Sequence, residues 1–353
     1  MKVLIYGAGV LGSLYAARLH ASGQDVSILA RGQRLEDLRE HGILLEDAVT
    51  GQRTTAQVPV VEELSPDDAY DWVLVVMRKS QVSTVLPILA ANTQTPNVLF
   101  MMNNAAGPAE MIQALGYERV LLGFPGAGGV RVGHVVRYLA GRGGRKATAT
   151  VGELDGRTTQ RLEALRQILE AAGFAVAIEP NMDAWLKTHV ALVSPVANAL
   201  YMTGGDIHRL AHTRDALLLM VRAIREGFLV LRALNIPIRP TGLQILSWLP
   251  EPLLVALAQR LLDTSAAEIA VAGHANAARD EMKLLADEFR ALALSTTVPT
   301  PSVDRLYRYT DLTVPPIMHG SAKIPMDWRG VWMALGAMAA LAMMWRLRPR
   351  RRR

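Results

Sequence analysis

Hydrophobic positions fall into two regimes along this chain. Up to Ile178, short apolar runs alternate with amphipathic stretches. Val3–Tyr6, Asp25–Ala30, Val58–Val61, Trp72–Met77, Asn97–Met102, Val120–Phe124 and Phe174–Ile178 read as strands, several apolar enough to be buried on both faces. Between them, helical periodicity follows Gly12, starts again near residue 35, covers the stretch from Val82 to Asn92, begins once more near Pro108, and runs from Arg157 to Ala172. Residues 131–153 read as a β-hairpin region with basic loops. Strands alternating with helices predict a doubly wound α/β domain with a largely parallel sheet.

The regime changes at Pro180-Asn181, and from there to about residue 312 the periodicity is almost wholly helical. Asn181 is a candidate N-cap with Asp183 in the first turn, opening a helix that Pro195 should kink near Ala191. Further helices are expected at roughly 214–234, 241–262 and 264–293, with a short last one after Thr300-Pro301. The expected organisation is an α/β domain over residues 1–180, an all-α domain over 181–315, and a tail over 316–353. Within the tail, Gly330–Trp345 is uncharged but shorter than the roughly 20 residues a spanning helix needs. Trp328, Trp332 and Trp345 bound it and arginines follow at once, which predicts a shallow helix on an anionic membrane surface rather than a span.

Composition narrows the classes. Half of the 353 residues are hydrophobic, enough for a large core. The absence of cysteine excludes disulfides, thiolate metal sites and cysteine nucleophiles, and suits a reducing compartment. The N-terminus lacks a basic stretch followed by a long apolar run, so no signal peptide is expected and the cytoplasm is the expected location. The net charge of +6 is a property of the tail, because the last eight residues hold six arginines. The 38 basic residues less these six leave 32 against 32 acidic ones, so nothing points to nucleic acid as a partner.

The chemistry begins at residue 7. Gly7, Gly9 and Gly12 follow the first apolar run at the spacing G-x-G-x-x-G, and a helical pattern follows them. Strand, glycine turn and helix in that order are the context of a dinucleotide-binding fingerprint, hence of a Rossmann-type sheet. Gly7 would permit the tight turn, Gly9 the close approach of a pyrophosphate, and Gly12 close packing of helix on strand, with Val10 and Leu11 in the first helical turn beside the phosphates. Nineteen residues past Gly12 stands Arg31, where NAD enzymes carry an acid. Arginine there, with Arg34 as helper, attracts a 2′-phosphate and predicts NADP (NADPH) as the cofactor. Lys79, after the fourth apolar run, is placed to meet the cofactor or an acidic substrate. Asn103 and Asn104 sit where two amides would orient a nicotinamide or a substrate carbonyl.

A nicotinamide reductase further needs a proton donor and groups that fix the substrate. Lys187 and His189 lie near the junction of the two halves but about 200° apart around a helix, so only one faces a cleft. Lys187 shares its face with Ala191 and Ser194. In residues 274–289, Met282, Leu285, Ala286 and Phe289 form a core stripe, with His274, Glu281 and Glu288 on one flank and Asn276, Asp280 and Asp287 on the other. No ligand spacing for zinc is evident, and no metal is expected.

These residues resemble the ketopantoate reductase family (2-dehydropantoate 2-reductases) over most of residues 1–310. The marks are Gly7-Ala8-Gly9-Val10-Leu11-Gly12, Arg31, Arg78-Lys79-Ser80-Gln81, Asn103-Asn104-Ala105-Ala106-Gly107, Trp185-Leu186-Lys187, and Asp280 with Glu288. The resemblance implies reduction of a small 2-oxo or 3-oxo acid by NADPH in a cleft between a Rossmann domain and a helical domain. It implies Lys187 as general acid, Asn104 positioning nicotinamide and substrate, Glu288 binding a substrate hydroxyl, and Lys79 touching cofactor or substrate. Ser194 and Asn276 stand where the family's substrate-binding Asn and Ser would be, Ala191 replaces another Asn, and Ala105 replaces a glycine. The substrate expected is therefore a small oxo acid such as 2-dehydropantoate, and the departures leave a different 2-oxo or 3-oxo acid open. A homodimer is a further expected partner state. The alternative reading is an NADPH-binding sensor without turnover.

Overall fold

The computed structural model describes residues 1–139, 141, 146–333, 335, 336 and 338. Twelve strands lie among them: β1 (Lys2–Tyr6), β2 (Asp25–Leu29), β3 (Ile43–Asp47), β4 (Arg53–Ala56), β5 (Val60–Val61), β6 (Trp72–Val75), β7 (Val98–Met101), β8 (Val120–Phe124), β9 (Gly128–Val132), β10 (Val135–Leu139), β11 (Thr148–Glu153) and β12 (Ala175–Ile178). The helices interleaved with them are α1 (Val10–Ala21), α2 (Gln33–His41), α3 (Val82–Ala91), α4 (Ala109–Leu115) and α5 (Gln160–Ala171). From Met182 on the elements are helical: α6 (Met182–Met202), α7 (Ile207–Ala211), α8 (Arg214–Ala233), α9 (Glu251–Leu262), α10 (Ser265–Ala267), α11 (His274–Ala277), α12 (Arg279–Leu294) and α13 (Pro301–Tyr307).

The main sheet has the order β12-β11-β8-β7-β6-β1-β2-β5. All neighbours are parallel except β11 and β8. Side-chain alternation builds a core on each face. Val3 and Ile5 point into one with α1 and α5, whereas Leu4 and Tyr6 point into the other with α3 and α4. Met182 and Leu186 at the start of α6 enter that second core, while the rest of α6 packs with α8, α12 and α13 in a core of its own. The chain turns to either side of β1, toward β2 and toward β6, so a crevice opens beyond the carboxyl ends of β1 and β6.

Several expectations needed correction. The hairpin is Gly128–Leu139, made by β9 and β10, and it joins β3 and β4 in a separate four-stranded sheet. Thr148–Glu153 instead belongs to the main sheet. Short apolar runs signal a strand but not the sheet it joins. The helix expected over 241–262 is divided into a 3-10 segment, Thr241–Ser247, and α9, because Pro250 and Pro252 favour a fresh start. The helix expected over 264–293 holds a π-helical stretch, Glu268–Gly273, and breaks again at Ala278. α7 follows Asp206, whose side chain accepts from Arg209 N, and is not among the expected helices. α6 stays helical through Pro195, and Asn181 caps it by accepting from Ala184 N at 3.0 Å. Among the described residues no helix is long and apolar enough to cross a membrane. Trp345 and the terminal arginines lie outside the described residues.

Candidate active site

The glycine turn is fixed by contact distances. Gly7 has φ +124°, and a Cβ on it would stand 2.4 Å from Val76 O. A Cβ on Gly12 would stand 1.8 Å from Gly7 O, so α1 can lie this close to β1 only with glycine there. Gly9 differs, since a Cβ there would meet nothing within 4 Å. It is the N-cap of α1, in an extended conformation, and its carbonyl accepts from Ser13 N at 2.9 Å. Val10 and Leu11 are half-buried and pack on the core beneath. The uncovered side of this turn is a helix N-terminus, ready for an anion.

Arg31 and Arg34 flank the turn differently. Arg31 is exposed and reaches Glu62 O and the Tyr6 hydroxyl, both at 3.3 Å. Arg34 is buried, donating Nε to Ala8 O at 3.1 Å and Nη2 to Ser13 Oγ at 3.0 Å. Its Nη1 is buried without a partner. Burial and then the nearby Arg131 pull its pKa below the usual arginine value, against Asp37. Arg34 therefore braces the glycine turn and keeps one donor free.

The second wall is the loop after β7. Asn104 is buried, and its amide exchanges two hydrogen bonds with Gly107, donating to Gly107 O at 2.9 Å and accepting from Gly107 N at 3.1 Å. Glu288 Oε2 accepts from Ala105 N at 2.9 Å and Ala106 N at 3.1 Å. Gly107, at φ +87°, lies against α6: a Cβ on it would stand 3.4 Å from Lys187 Nζ and 3.3 Å from Asp183 Oδ1. Lys187 is itself buried and paired with Asp183 one turn earlier. Lys79, also buried, pairs with Glu110, and its Nζ is 3.9 Å from Glu288 Oε1. Lys187, Asn104, Glu288 and Lys79 come from four separate elements and meet around one loop at the carboxyl edge of the sheet.

Polar contacts tie α12 to the segment after β6. Arg78 donates to Asp280 Oδ1 at 3.1 Å and to Ala277 O at 2.7 Å. Ser80 Oγ donates to Asp280 Oδ2 at 3.3 Å, and Lys79 N to Glu281 Oε1 at 3.2 Å. The seven-residue relation holds from Glu281 to Glu288 within α12, but His274 precedes the break at Ala278.

His189 faces other surroundings than Lys187, as their spacing requires. Its ring lies 4.2 Å from that of Phe124 and is stacked on Trp185 at 5.2 Å. Burial, with His274 adding repulsion, lowers its pKa from 6.5 to about 4, so it is neutral near pH 7. Ser194 lies two turns beyond Lys187 and lines a small pocket with Asn198, Phe289 and Arg290. Asn276 is exposed and donates to Gly205 O at 2.9 Å, past the far end of α6. Neither joins the group around residues 104–107.

Two members of the site, Asp183 and Glu110, are not marked as such by the sequence. Asp183 stood out only as a first-turn acid, although its i, i+4 spacing to Lys187 is legible. Glu110 carries no pattern that marks it, since its partner is remote in sequence, and Glu281 lies on the expected flank but its contact with Lys79 N is not given by the spacing. The residues present fit a nicotinamide dinucleotide on three observations. Gly9 is open, Arg34 Nη1 is an unused buried donor beside it, and Asn103 Oδ1 is a buried acceptor without a partner at the end of β7.

Comparison with known proteins agrees with this geometry. The family described as "Ketopantoate reductase PanE/ApbA" matches residues 3–156. The 2-dehydropantoate 2-reductase of Archaeoglobus fulgidus is 31% identical over 217 residues, 60% of this chain and 68% of that one. Among solved structures, a 2-dehydropantoate 2-reductase from Geobacter metallireducens superposes with a TM-score of 0.72 at 16% identity, covering 88% of this chain and 99% of that one. A D-mandelate dehydrogenase solved with NADH and anilino(oxo)acetate superposes at 0.69 with 18% identity, over 88% and 97%. At such identities the structural likeness concerns the fold, and the sequence relative supplies the kinship. The chain, with its glycine turn beside a loop that gathers Lys187, Asn104 and Glu288, belongs to the ketopantoate reductase family.

Proposed function

We propose that this protein uses NADPH to reduce the ketone of a small 2-oxo or 3-oxo acid to the hydroxy acid. The observation that carries the reading is the meeting of Lys187, Asn104, Glu288 and Lys79 around residues 104–107, beside the crevice headed by Gly9. The cofactor supplies the hydride. Gly9 and the first turn of α1 hold its pyrophosphate, Arg31 its 2′-phosphate, and the Asn103–Asn104 amides its nicotinamide end. Lys79 attracts the acid's carboxylate, and Glu288 Oε1, left over from the loop contacts, accepts a substrate hydroxyl. Asp183 holds Lys187 Nζ beside the loop, where it donates a hydrogen bond to the carbonyl oxygen. Lys187 Nζ would give its proton to that oxygen as the ketone is reduced. The location that suits this chemistry is the cytoplasm, where reduced nicotinamide is maintained.

The test is a panel of 2-oxo and 3-oxo acids, 2-dehydropantoate among them, followed by loss of NADPH absorbance with NADH in parallel. The expected result is turnover of at least one acid with NADPH preferred. Lys187→Ala should lower kcat by about a hundredfold or more while NADPH binding is kept. NADPH binding with no turnover across the panel refutes the reductase reading, and equal use of NADH refutes the role of Arg31.

A further inference from the structure

One surface of the helical half is apolar and uncovered. α9 carries Leu253, Leu257 and Leu261 at four-residue spacing, hence along one stripe, and each is about half exposed. Trp248, just ahead of the helix, is 77% exposed. The C-terminal segment comes to the same place. Asp327 N donates to Glu251 Oε1 at 2.9 Å, and Arg222, which grips Glu251, also donates to Pro325 O at 2.8 Å. A Cβ on Gly330 would sit 3.4 Å from Pro250. Trp328 and Trp332, on either side of Gly330, are 51% and 67% exposed. Three tryptophans and a leucine stripe thus adjoin at the head of α9. Isolated exposed apolar residues need no explanation, but a gathered set of this size marks a contact surface.

We propose that the α9 stripe and residues 328–333 form one docking face for the interfacial zone of a bilayer containing anionic lipid. The sequence beyond the face decides the occupant. It runs uncharged from Gly330 to Trp345 and ends with six arginines in its last eight residues. Tryptophan favours the headgroup level, leucine the acyl boundary beneath it, and each arginine gains from an anionic surface. The uncharged run falls short of the roughly 20 residues needed to span, so the face lies on the bilayer rather than crossing it. A second copy suits it less, because a two-fold contact sets identical surfaces together and with them two like-charged ends. The new element is α9: the leucines engage the bilayer together with the tail, and the tail does not act alone.

The test uses the full-length protein in flotation with vesicles of phosphatidylcholine alone or with an equal part of phosphatidylglycerol. The wild type should float only with the anionic vesicles. Leu257→Glu should weaken that partitioning about tenfold, equivalent to about 1.4 kcal/mol, without changing the melting temperature or NADPH oxidation. Arg351→Gln/Arg352→Gln/Arg353→Gln should weaken it at least as much. Wild type that stays unbound overturns the proposal, and so does Leu257→Glu that floats like wild type. A lipid-free dimer that Leu257→Glu splits into monomers would assign the face to self-association instead.

Discussion

Gly9 and Gly12 make a matched pair of substitutions, because the same added methyl group meets opposite surroundings. At Gly12 the new Cβ would lie 1.8 Å from a backbone carbonyl oxygen, against an ordinary contact of 3.4 Å or more. Helix α1 would have to move away from β1 by more than an ångström, into a core where Leu14, Tyr15 and Leu19 are fully buried. Overpacking of this kind costs about 1–3 kcal/mol, which for a protein of this size lowers Tm by about 1–4 °C. At Gly9 nothing lies within 4 Å, and φ −74°, ψ −167° is backbone that alanine adopts freely. Only the N-cap preference is lost, under about 1 kcal/mol.

Ligand binding should reverse the order of visible effects. The methyl of Gly9→Ala occupies the space through which a pyrophosphate reaches the free N–H groups of α1, and Kd for NADPH should rise about tenfold or more. Thermal melting followed by circular dichroism reads the first effect, and titration of NADPH fluorescence reads the second. Gly12→Ala should melt early; Gly9→Ala should melt near wild type and bind poorly. If Gly9→Ala binds NADPH with wild-type affinity, the phosphates do not lie over Gly9 and the cofactor assignment of this turn fails.

Three further outcomes follow from the same geometry. Arg31→Ala should raise Kd for NADPH about tenfold through loss of a charge-assisted contact and leave NADH unchanged; a parallel loss for both cofactors refutes 2′-phosphate recognition. The folded-state pKa of His189 lies below its unfolded value, so its contribution is intact above pH 6.5 and is lost as pH falls toward about 4, a loss of about 3 kcal/mol. Urea denaturation between pH 7 and 4 should therefore show a steeper decline for wild type than for His189→Phe, and equal slopes would remove His189 from the account. If the two halves part transiently, the amides of Ala105 and Ala106, held by Glu288, should exchange hydrogen at least about tenfold faster than that of Leu186; equal rates would mean that the halves open only by global unfolding.

The legible parts of this molecule are those whose physics is local. The buried strands, the glycine turn, the Asn181 cap and the helix of Lys187 each depend on residues within a turn or two, so pattern alone locates them. The four-stranded sheet is different, because β3 pairs with β10 across some ninety residues and nothing in Ile43–Asp47 names that partner. The same holds in the site. Lys79 stood out by its place after a strand, but its partners Glu110 and Glu288 are set by tertiary folding. The segment before α12 misled for another reason: the heptad stripe from His274 to Glu288 suits a continuous helix, yet the helix breaks at Ala278, and the π-helical stretch just ahead of the stripe packs against β9, with Gly128 close to Ala270. Tertiary contact overrode local periodicity there.

The two chemical groups contributed by the helical half are held in different ways. Lys187 follows Met182 and Leu186, which are 2% and 1% exposed inside the core of the sheet domain. The start of α6 is thus packed as part of the sheet half, although most of the helix belongs to the other core. Glu288 rides on α12, whose Met282, Leu285 and Phe289 are buried in the helical core. The hydrogen bonds of α12 across the cleft are those of the two loop amides to Glu288, Arg78 to Asp280, and Lys79 N to Glu281, beside one apolar residue of the loop, Ala105, that joins the helical core. Apolar packing of this kind separates only by unfolding, whereas partly solvated polar contacts exchange with water at small net cost. An opening of the cleft would carry Glu288 away while Lys187 stays in register with Asn104. On the proposed function, Lys187 would therefore keep a fixed relation to the nicotinamide end of the cofactor, and the residue carried away by such an opening would be the one proposed to bind the rest of the substrate.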